Sequence, residues 1–289
     1  MNEQAFSFKS NNNDLAGIIH KPDNCRNRGI LSIVAGGPQY RAGCCRQLVL
    51  MARRFAESGC PVMRFDQAGM GDSSGTYMGF EHISSDINAA ISEFKKRVPE
   101  LTEVVLWGGC DAASAILIHG TNNATVTGLI LANPWVHTEE SHAAVLVRHY
   151  YWKRFLDRTF WKKVFTLKLD ILPTLNSFFH NVLLSLSKQK NTLRSEENKD
   201  TPFPERMLAG ASNYKRRILL MMSGLSMVSK EFDELIRSSD AWKKAMLRDG
   251  VTRVDFPDAD QTFATLDDRD QQIDAAVQWM TEWQNEDEK

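Results

Sequence analysis

Short runs of apolar residues alternate with helical segments along most of the chain. Continuous apolar runs are typical of strands buried on both faces of a parallel sheet. They predict strands at 29–35, 61–66, 103–107, 126–132, 216–222 and 251–256. The intervening periodicity predicts helices at about 46–57, 81–97, 110–119, 229–248 and 269–284. Two further segments, 5–9 and 15–20, flank an Asn-rich turn and predict a hairpin.

The alternation breaks once, between about Val136 and Ser212, where the chain is helical and aromatic with no convincing strand. Alternating strands and helices build a mostly parallel, doubly wound α/β sheet. We therefore predict a single α/β domain over residues 1–289, with a helical cap at about 137–213 inserted after the sixth strand.

Composition excludes several classes of protein. The chain has 289 residues, of which 43% are hydrophobic and 25% charged, so it can bury an ordinary core without disulfides or a structural metal. Its net charge of −1 argues against nucleic-acid binding. No metal-binding motif is found, and we expect neither a metal nor another cofactor. The oligomeric state stays open.

The five cysteines indicate a reducing compartment. Cys25, Cys44, Cys45, Cys60 and Cys110 include no CxxC motif, and their odd number leaves one over in any disulfide scheme. The first ten residues lack a basic region followed by an apolar run, and no stretch reaches the length of a membrane span. We expect reduced thiols in a cytoplasmic protein.

A strand-to-helix turn at residues 108–112 has the pattern of a nucleophile elbow. In such a turn the nucleophile has a strained backbone, and small residues two positions before and after it let the turn close. Gly108 and Ala112 occupy those two positions, and Cys110 lies between them. The N–H of Asp111 would be one oxyanion donor, and the helix N-terminus would favour the Cys110 thiolate. The alternative is a small buried cysteine at a tight turn.

The loop after strand 29–35 is the expected source of the second oxyanion donor. It is rich in glycine, and the candidate substrate and oxyanion loop comprises Gly37, Pro38 and Gln39. A plain strand-to-helix connection is an equal alternative. A second glycine-rich loop, 66–75, lacks the spacing of a dinucleotide-binding motif, and we expect it to turn the chain behind the site.

Several segments together resemble one family, the α/β-hydrolases associated with the exosortase A protein-sorting system (the first of its two hydrolase types). The matching segments are GGPQYRAG at 36–43, RFDQAGMGDSSG at 64–75, VVLWGGCDAAS at 104–114, LANPWVHTE at 131–139, RHYYWKRFLDRTFWKKV at 148–164, SG at 223–224, KEF at 230–232 and ADQTF at 259–263. The resemblance implies the α/β-hydrolase fold and a bacterial cytoplasmic protein encoded near exopolysaccharide functions. It supplies no substrate.

The chain departs from this family at two catalytic positions. The family pattern has an acid in the loop after the seventh strand, where this chain has Ser226. It has a histidine in the loop after the eighth strand, where this chain has Gln261. The histidine takes the proton of the nucleophile and the acid orients it. The last histidine is His180, so no histidine near the C-terminus can replace it.

His137 and His142 are candidate substitute bases. Both follow the sixth strand, at the edge of the sheet where catalytic loops gather. Polar residues at the start of a cap helix are the simpler interpretation of both.

The predicted cap contains a segment, 148–168, in which aromatic and basic residues alternate and Asp157 is the only acid. The simplest interpretation is a lid with aromatic residues facing the cleft and Lys and Arg facing water. Peripheral contact with an anionic membrane surface, here the bacterial inner membrane, is a second interpretation. A site for an anionic ligand, such as an acyl or glycan phosphate, is a third.

The leading hypothesis is a member of this family with degraded hydrolytic machinery, weak or inactive on esters and thioesters, that retains a small-molecule acyl or glycan-type ligand or a partner. A working esterase, thioesterase or acyltransferase that uses Cys110 with an unconventional base is the alternative. A membrane-surface or partner-binding adaptor is a third hypothesis.

Overall fold

The computed structural model describes residues 1–34, 40–136 and 201–287. Most of the predicted cap, 137–200, lies outside the described residues. The helix Phe203–Asn213 is described and covers the last part of the predicted cap range. The single-domain organisation and the extent of the cap stay predictions.

One eight-stranded sheet organises the described residues. Its strands are β1 (Asn2–Ser10), β2 (Asn13–Lys21), β3 (Arg28–Ser32), β4 (Val62–Phe65), β5 (Glu103–Gly109), β6 (Val126–Ala132), β7 (Arg217–Ser223) and β8 (Val251–Phe256). Their order across the sheet is β1-β2-β4-β3-β5-β6-β7-β8. The pairs β1–β2 and β2–β4 are antiparallel and all the others are parallel. The carboxyl ends of β3 to β8 therefore meet at one edge.

The described helices are α1 (Gln47–Glu57), α2 (Ser84–Arg97), α3 (Asp111–Ala115), α4 (Phe203–Asn213), α5 (Met227–Ser238), α6 (Asp240–Met246) and α7 (Leu266–Asp287). Single turns at Cys44–Arg46 and Phe80–His82 precede α1 and α2. Directly after α3 the chain continues as a π-helical turn, Ile116–Gly120.

The sheet has a core on each face because successive strand residues point to opposite sides. In β5, Val104 and Leu106 belong to one core, and Val105 and Trp107 belong to the other. Buried residues of α2 to α6 complete the first core, and those of α1 and α7 complete the second. Strands covered in this way must be apolar throughout, which explains the continuous runs in the sequence.

The structure confirms the predicted strands and helices and the mostly parallel, doubly wound sheet. Most differences are at the ends of elements, but the predicted helix 110–119 is the short α3 followed by the π-helical turn Ile116–Gly120. β3 begins at Arg28, a charged residue that is only 4% exposed. Its guanidinium donates to Glu103 at 2.6 Å and lies 3.6 Å from the ring centre of Trp283. These two contacts offset the cost of burying the charge.

Candidate active site

The elbow predicted at residues 108–112 is present. Cys110 follows β5 and precedes α3, and its φ of 56° and ψ of −124° lie in a strained region for a residue with a side chain. A Cβ on Gly108 would lie 2.9 Å from the Ala112 oxygen and 2.6 Å from the Ile116 side chain. The turn therefore closes only because Gly108 has no side chain.

Backbone hydrogen bonds fix the elbow to the end of β6. The N–H of Cys110 donates to the Ala132 oxygen at 2.8 Å, and the Cys110 oxygen accepts from the N–H of Trp135 at 3.2 Å. The hydroxyl of Ser114, one turn into the helix, donates to the Trp135 oxygen at 2.6 Å. The nucleophile position is thus held by the backbone on two sides.

The structure brings Gln261 against Cys110. Its side-chain amide Nε2 donates to the Cys110 Sγ at 3.3 Å. Gln261 lies in the loop between β8 and α7, where the carboxylate of Asp260 accepts from the N–H groups of Thr262 at 2.8 Å and Ala264 at 3.2 Å. An amide has no basic nitrogen, so the group facing the thiol cannot take its proton.

The surroundings of Cys110 favour the neutral thiol. Burial raises the pKa of Cys110 and the nearby Asp111 carboxylate raises it further. Hydrogen bonds from the N–H of Asp111 and from Gln261 lower this pKa in part. The net direction is opposite to the one expected from the helix N-terminus alone, because α3 is short and the thiol is half-buried beside a carboxylate.

Asp111 itself has an unusual acidity. Burial raises the pKa of its carboxyl to about 6, against the lowering effect of the N–H groups of Ala112 and Asp111. A carboxyl with this pKa changes its charge near neutral pH. The predicted use of the Asp111 N–H as an oxyanion donor stays a prediction.

Ser226 does not join this pair. It is the N-cap of α5, and its hydroxyl accepts from the N–H of Ser229 at 3.3 Å. Among the described contacts, no hydrogen bond links Ser226 to Gln261. A hydroxyl at this position caps a helix but supplies no negative charge, so it cannot stabilise a charged base.

Asn133 has a central role that the sequence did not reveal. It is 1% exposed, directly follows β6, and adopts a φ of 49°. Its Nδ2 donates to the Ser223 hydroxyl at 2.8 Å and to the Gln261 backbone oxygen at 3.0 Å. Its Oδ1 accepts from the Ser223 N–H at 2.9 Å and the Ser229 hydroxyl at 2.6 Å. One side chain therefore joins the ends of β6 and β7 to the Gln261 loop. The only signal for it was its place in the LANPW segment.

A pocket of about 400 Å³ opens above Cys110. Its described walls are of mixed polarity, and the apolar side chains include Trp107, Phe80, Trp135, Leu48 and Phe263. The polar side chains on its described walls are Cys44, Gln47, Cys110, Asp111, Gln261, Thr262 and Gln272. None of these carries a positive charge. No group of three or more His, Cys, Asp or Glu side chains is placed to hold a metal ion in the described parts of the chain.

An aromatic cluster connects the pocket to α4. The rings of Trp135 and Phe203 are stacked, with centres 5.1 Å apart, and the edge of Phe80 packs against both. The Arg206 guanidinium pairs with Glu81 at 2.9 Å beside this cluster. The segment that returns from the predicted cap thus packs against the pocket wall.

Several predicted site residues lie outside the described residues: Gly37, Pro38, Gln39, His137, His142 and the segment 148–168. The flanks of the predicted oxyanion loop are described. The Gln67 amide donates to the Val34 oxygen on one side, and the N–H of Arg41 donates to the Asp66 carboxylate on the other. The glycine-rich 66–75 loop therefore holds both flanks, in agreement with its predicted structural role.

Each helix in residues 1–34, 40–136 and 201–287 is either too short or too polar to span a bilayer. This finding concerns the described helices alone.

Solved structures with similar architecture include esterases and a peptidase. A Pyrococcus furiosus esterase, Pf2001, is 14% identical with a TM-score of 0.63, over 97% of this chain and 92% of that one. Est1E of Butyrivibrio proteoclasticus, solved with ferulic acid, is 14% identical with a TM-score of 0.60, over 96% and 98%. A proline iminopeptidase of Mycobacterium smegmatis is 12% identical with a TM-score of 0.58, over 96% and 98%. At these identities the likeness establishes the α/β-hydrolase fold and nothing finer.

Among curated proteins, none matches the chain. The family model described as serine aminopeptidase, S33, matches residues 27–200, more than half of the chain. The family description names serine, whereas the elbow of this chain has Cys110. With its eight-stranded sheet and its elbow, the chain belongs to the serine aminopeptidase S33 family of α/β-hydrolases.

Proposed function

We propose that this protein is an α/β-hydrolase with degraded catalytic machinery, which binds a small acyl or glycan-type molecule and hydrolyses esters or thioesters weakly or not at all. The observation that carries the proposal is the hydrogen bond from the Gln261 amide to the Cys110 thiol. A catalytic base at this position would accept the proton of the thiol, but the Gln261 amide donates a hydrogen bond to the sulfur instead. Loss of the base lowers the rate by orders of magnitude, although oxyanion stabilisation can preserve a small remaining activity.

The retained pocket supports a binding role. Its described walls combine aromatic surfaces with glutamine, threonine and thiol side chains, a combination that suits an apolar group carrying neutral hydrogen-bonding atoms. From the sequence resemblance we further propose that the protein acts in the bacterial cytoplasm, in the exosortase A and exopolysaccharide system. Peripheral contact with the inner membrane through 148–168 is part of the same proposal.

One observation favours a second candidate, a slow hydrolase or acyltransferase with Asp111 as its base. A carboxyl with a pKa of about 6 has a protonation equilibrium close to the operating pH, which suits proton transfer. Asp111 also lines the pocket beside Cys110. This candidate requires Asp111→Asn to abolish any measured turnover.

The two candidates are separated by assays on short p-nitrophenyl esters and an aryl thioester. We expect wild-type turnover close to that of Cys110→Ala, and about 100-fold more in Gln261→His with Ser226→Asp, since a base and its orienting acid return together. Gln47→His is the control: it introduces a histidine at another glutamine of the pocket, which is half-buried whereas Gln261 is exposed, and it should stay inactive.

Substantial wild-type turnover that Cys110→Ala abolishes would contradict the degraded-enzyme proposal. Equal gains in Gln47→His and in the double variant would show that any pocket histidine suffices. In that case the proposal could no longer rest on the replacement of the catalytic histidine by Gln261.

A further inference from the structure

Two adjacent cysteines lie at the pocket, away from the elbow. Cys44 and Cys45 form the turn before α1, and their Sγ atoms are 3.7 Å apart. Cys44 is half-buried and lines the pocket that contains Cys110. Cys45 is exposed to solvent. Neither thiol has a part in the proposed hydrolytic machinery.

The close approach of the two sulfurs is a specific feature of the backbone. Consecutive side chains point to opposite faces in a strand and diverge in a helix. Here Cys45 has a φ of 49° and Arg46 a φ of 61°, so the chain turns in a left-handed conformation that brings the two thiols together. The flanks are fixed, because the N–H of Gly43 donates to Tyr40 at 2.8 Å and that of Leu48 to Ala42 at 3.1 Å.

We propose that Cys44 and Cys45 are a reversible oxidation site on the pocket wall, converted to a disulfide by a small-molecule disulfide such as oxidised glutathione. In the first step the exposed Cys45 thiolate attacks the oxidant, whose S–S bond breaks, and a mixed disulfide forms while one thiol is released. In the second step the Cys44 sulfur attacks the Cys45 sulfur and releases the second thiol. The two cysteines lose two electrons and two protons, and the oxidant gains them.

Proximity favours the second step. Cys44 is already in contact with Cys45, so the displacement is intramolecular and competes well against a second molecule of thiol. Burial and the neighbouring Cys45 raise the pKa of the Cys44 thiol. Cys45 is the better first nucleophile because it is exposed to a dissolved oxidant.

The disulfide would be easy to reduce. Consecutive Cα atoms are about 3.8 Å apart, whereas relaxed disulfides join Cα atoms about 4.4–6.8 Å apart. A strained bond of this kind suits a transient, regulatory disulfide better than a structural one. Because Cys44 lines the pocket, forming the disulfide moves part of the wall around Cys110. The proposal does not depend on the proposed function, since Cys110 takes part in neither step.

The test is oxidation of the full chain with oxidised glutathione, alkylation of the remaining thiols, and mass spectrometry of the tryptic peptide 42–46, which contains both cysteines. In the wild type we expect this peptide to lose two hydrogens, and dithiothreitol to reverse the change. In Cys44→Ser we expect a stable glutathione adduct on Cys45, because the resolving thiol is absent. Cys25→Ser is the matched control and should behave as the wild type.

A stable glutathione adduct on wild-type Cys45, a disulfide between Cys44 and Cys110, or two unmodified thiols would each overturn the proposal. The link to the pocket has its own measurement, the rate at which iodoacetamide alkylates Cys110. We expect oxidation to change this rate in the wild type and to leave it unchanged in Cys45→Ser. Equal rates in oxidised and reduced wild type would contradict the link.

Discussion

At the scale of single residues, the chemistry of Cys110 is set by its burial and by two neighbours, Asp111 and Gln261. Burial and the Asp111 carboxylate disfavour the thiolate, while the Gln261 amide stabilises it in part. The strained φ and ψ of Cys110 are those a nucleophile elbow requires, yet the protonation state is that of an unactivated thiol. Backbone geometry and acidity are therefore separable properties, and this protein retains the first without the second.

Asp111→Asn tests this account. Removing the carboxylate removes one of the two influences that raise the pKa of Cys110, so the thiolate fraction at pH 8 should increase, by about tenfold for each unit by which that pKa falls. We expect faster alkylation of Cys110 by iodoacetamide at pH 8, measured against pH by mass spectrometry. Asp258→Asn, on the exposed surface, is the control and should leave the profile unchanged. An unaltered profile in Asp111→Asn would exclude the charge of Asp111 as a cause.

The site residues predicted from the sequence are those identified by a short local sequence pattern. Cys110 was placed by its position directly after a strand, and Gln261 by the resemblance of the segment 259–263 to the family pattern; the structure brings the two side chains within 3.3 Å. Asn133 and the Cys44–Cys45 pair were missed for a different reason. The hydrogen bonds of Asn133 reach Ser223 and Gln261, which are far away in sequence. The contact of the two thiols depends on positive φ values at Cys45 and Arg46, and neither residue type predicts a left-handed turn.

At the scale of elements, the site depends on the junction between β6, β7 and the β8–α7 loop. Asn133 makes four side-chain hydrogen bonds there, three of them buried and the one to the Gln261 backbone oxygen partly buried. A buried network of this kind stabilises only while each member is satisfied. The elements themselves were predictable because buried runs and helical periodicity are local signals. The junction was not, since it forms only after three separate segments meet.

Asn133→Ala should destabilise the protein by about 2–4 kcal/mol, because buried partners lose their bonds and alanine fits a positive φ poorly. Urea unfolding followed by circular dichroism measures this change. Asn122→Ala, at an exposed asparagine, should cost below about 1 kcal/mol. Similar midpoints for the two variants would show that the Asn133 network contributes little.

At the scale of the whole molecule, the free energy of unfolding depends on pH through a buried histidine in β2. His20 is 0% exposed, and its Nε2 accepts from the Arg64 guanidinium at 3.1 Å. Burial, reinforced by the charge of Arg64, lowers the pKa of His20 to about 4, although Glu3 opposes this shift. In the unfolded chain the pKa of a histidine is about 6.5. Between these values the unfolded state binds a proton that the folded state does not, so stability falls as pH falls from about 6.5 to 4.

We expect His20 to contribute on the order of 2–3 kcal/mol of destabilisation across this window, partly opposed by Asp111, whose raised pKa has the reverse effect; the measurement is the difference between wild type and His20→Gln in urea midpoints at pH 7 and 4.5. His20→Gln should flatten the dependence, because glutamine does not titrate there. His82→Gln, at an exposed histidine, should keep the wild-type slope. A slope in His20→Gln equal to that of the wild type would assign the effect to other groups.

The docking of α7 on the sheet gives the last test at this scale. Trp283 lies directly over Gly128 of β6, and a Cβ there would meet its ring at 2.7 Å and the Val105 side chain at 3.1 Å. Gly128→Ala should therefore cost about 1–3 kcal/mol by overpacking. The ring atoms that a Cβ would meet are absent from phenylalanine, so the same change should cost at least about 1 kcal/mol less in a Trp283→Phe background. Equal costs in the two backgrounds, measured by urea unfolding, would mean that α7 does not pack on β6 through this contact.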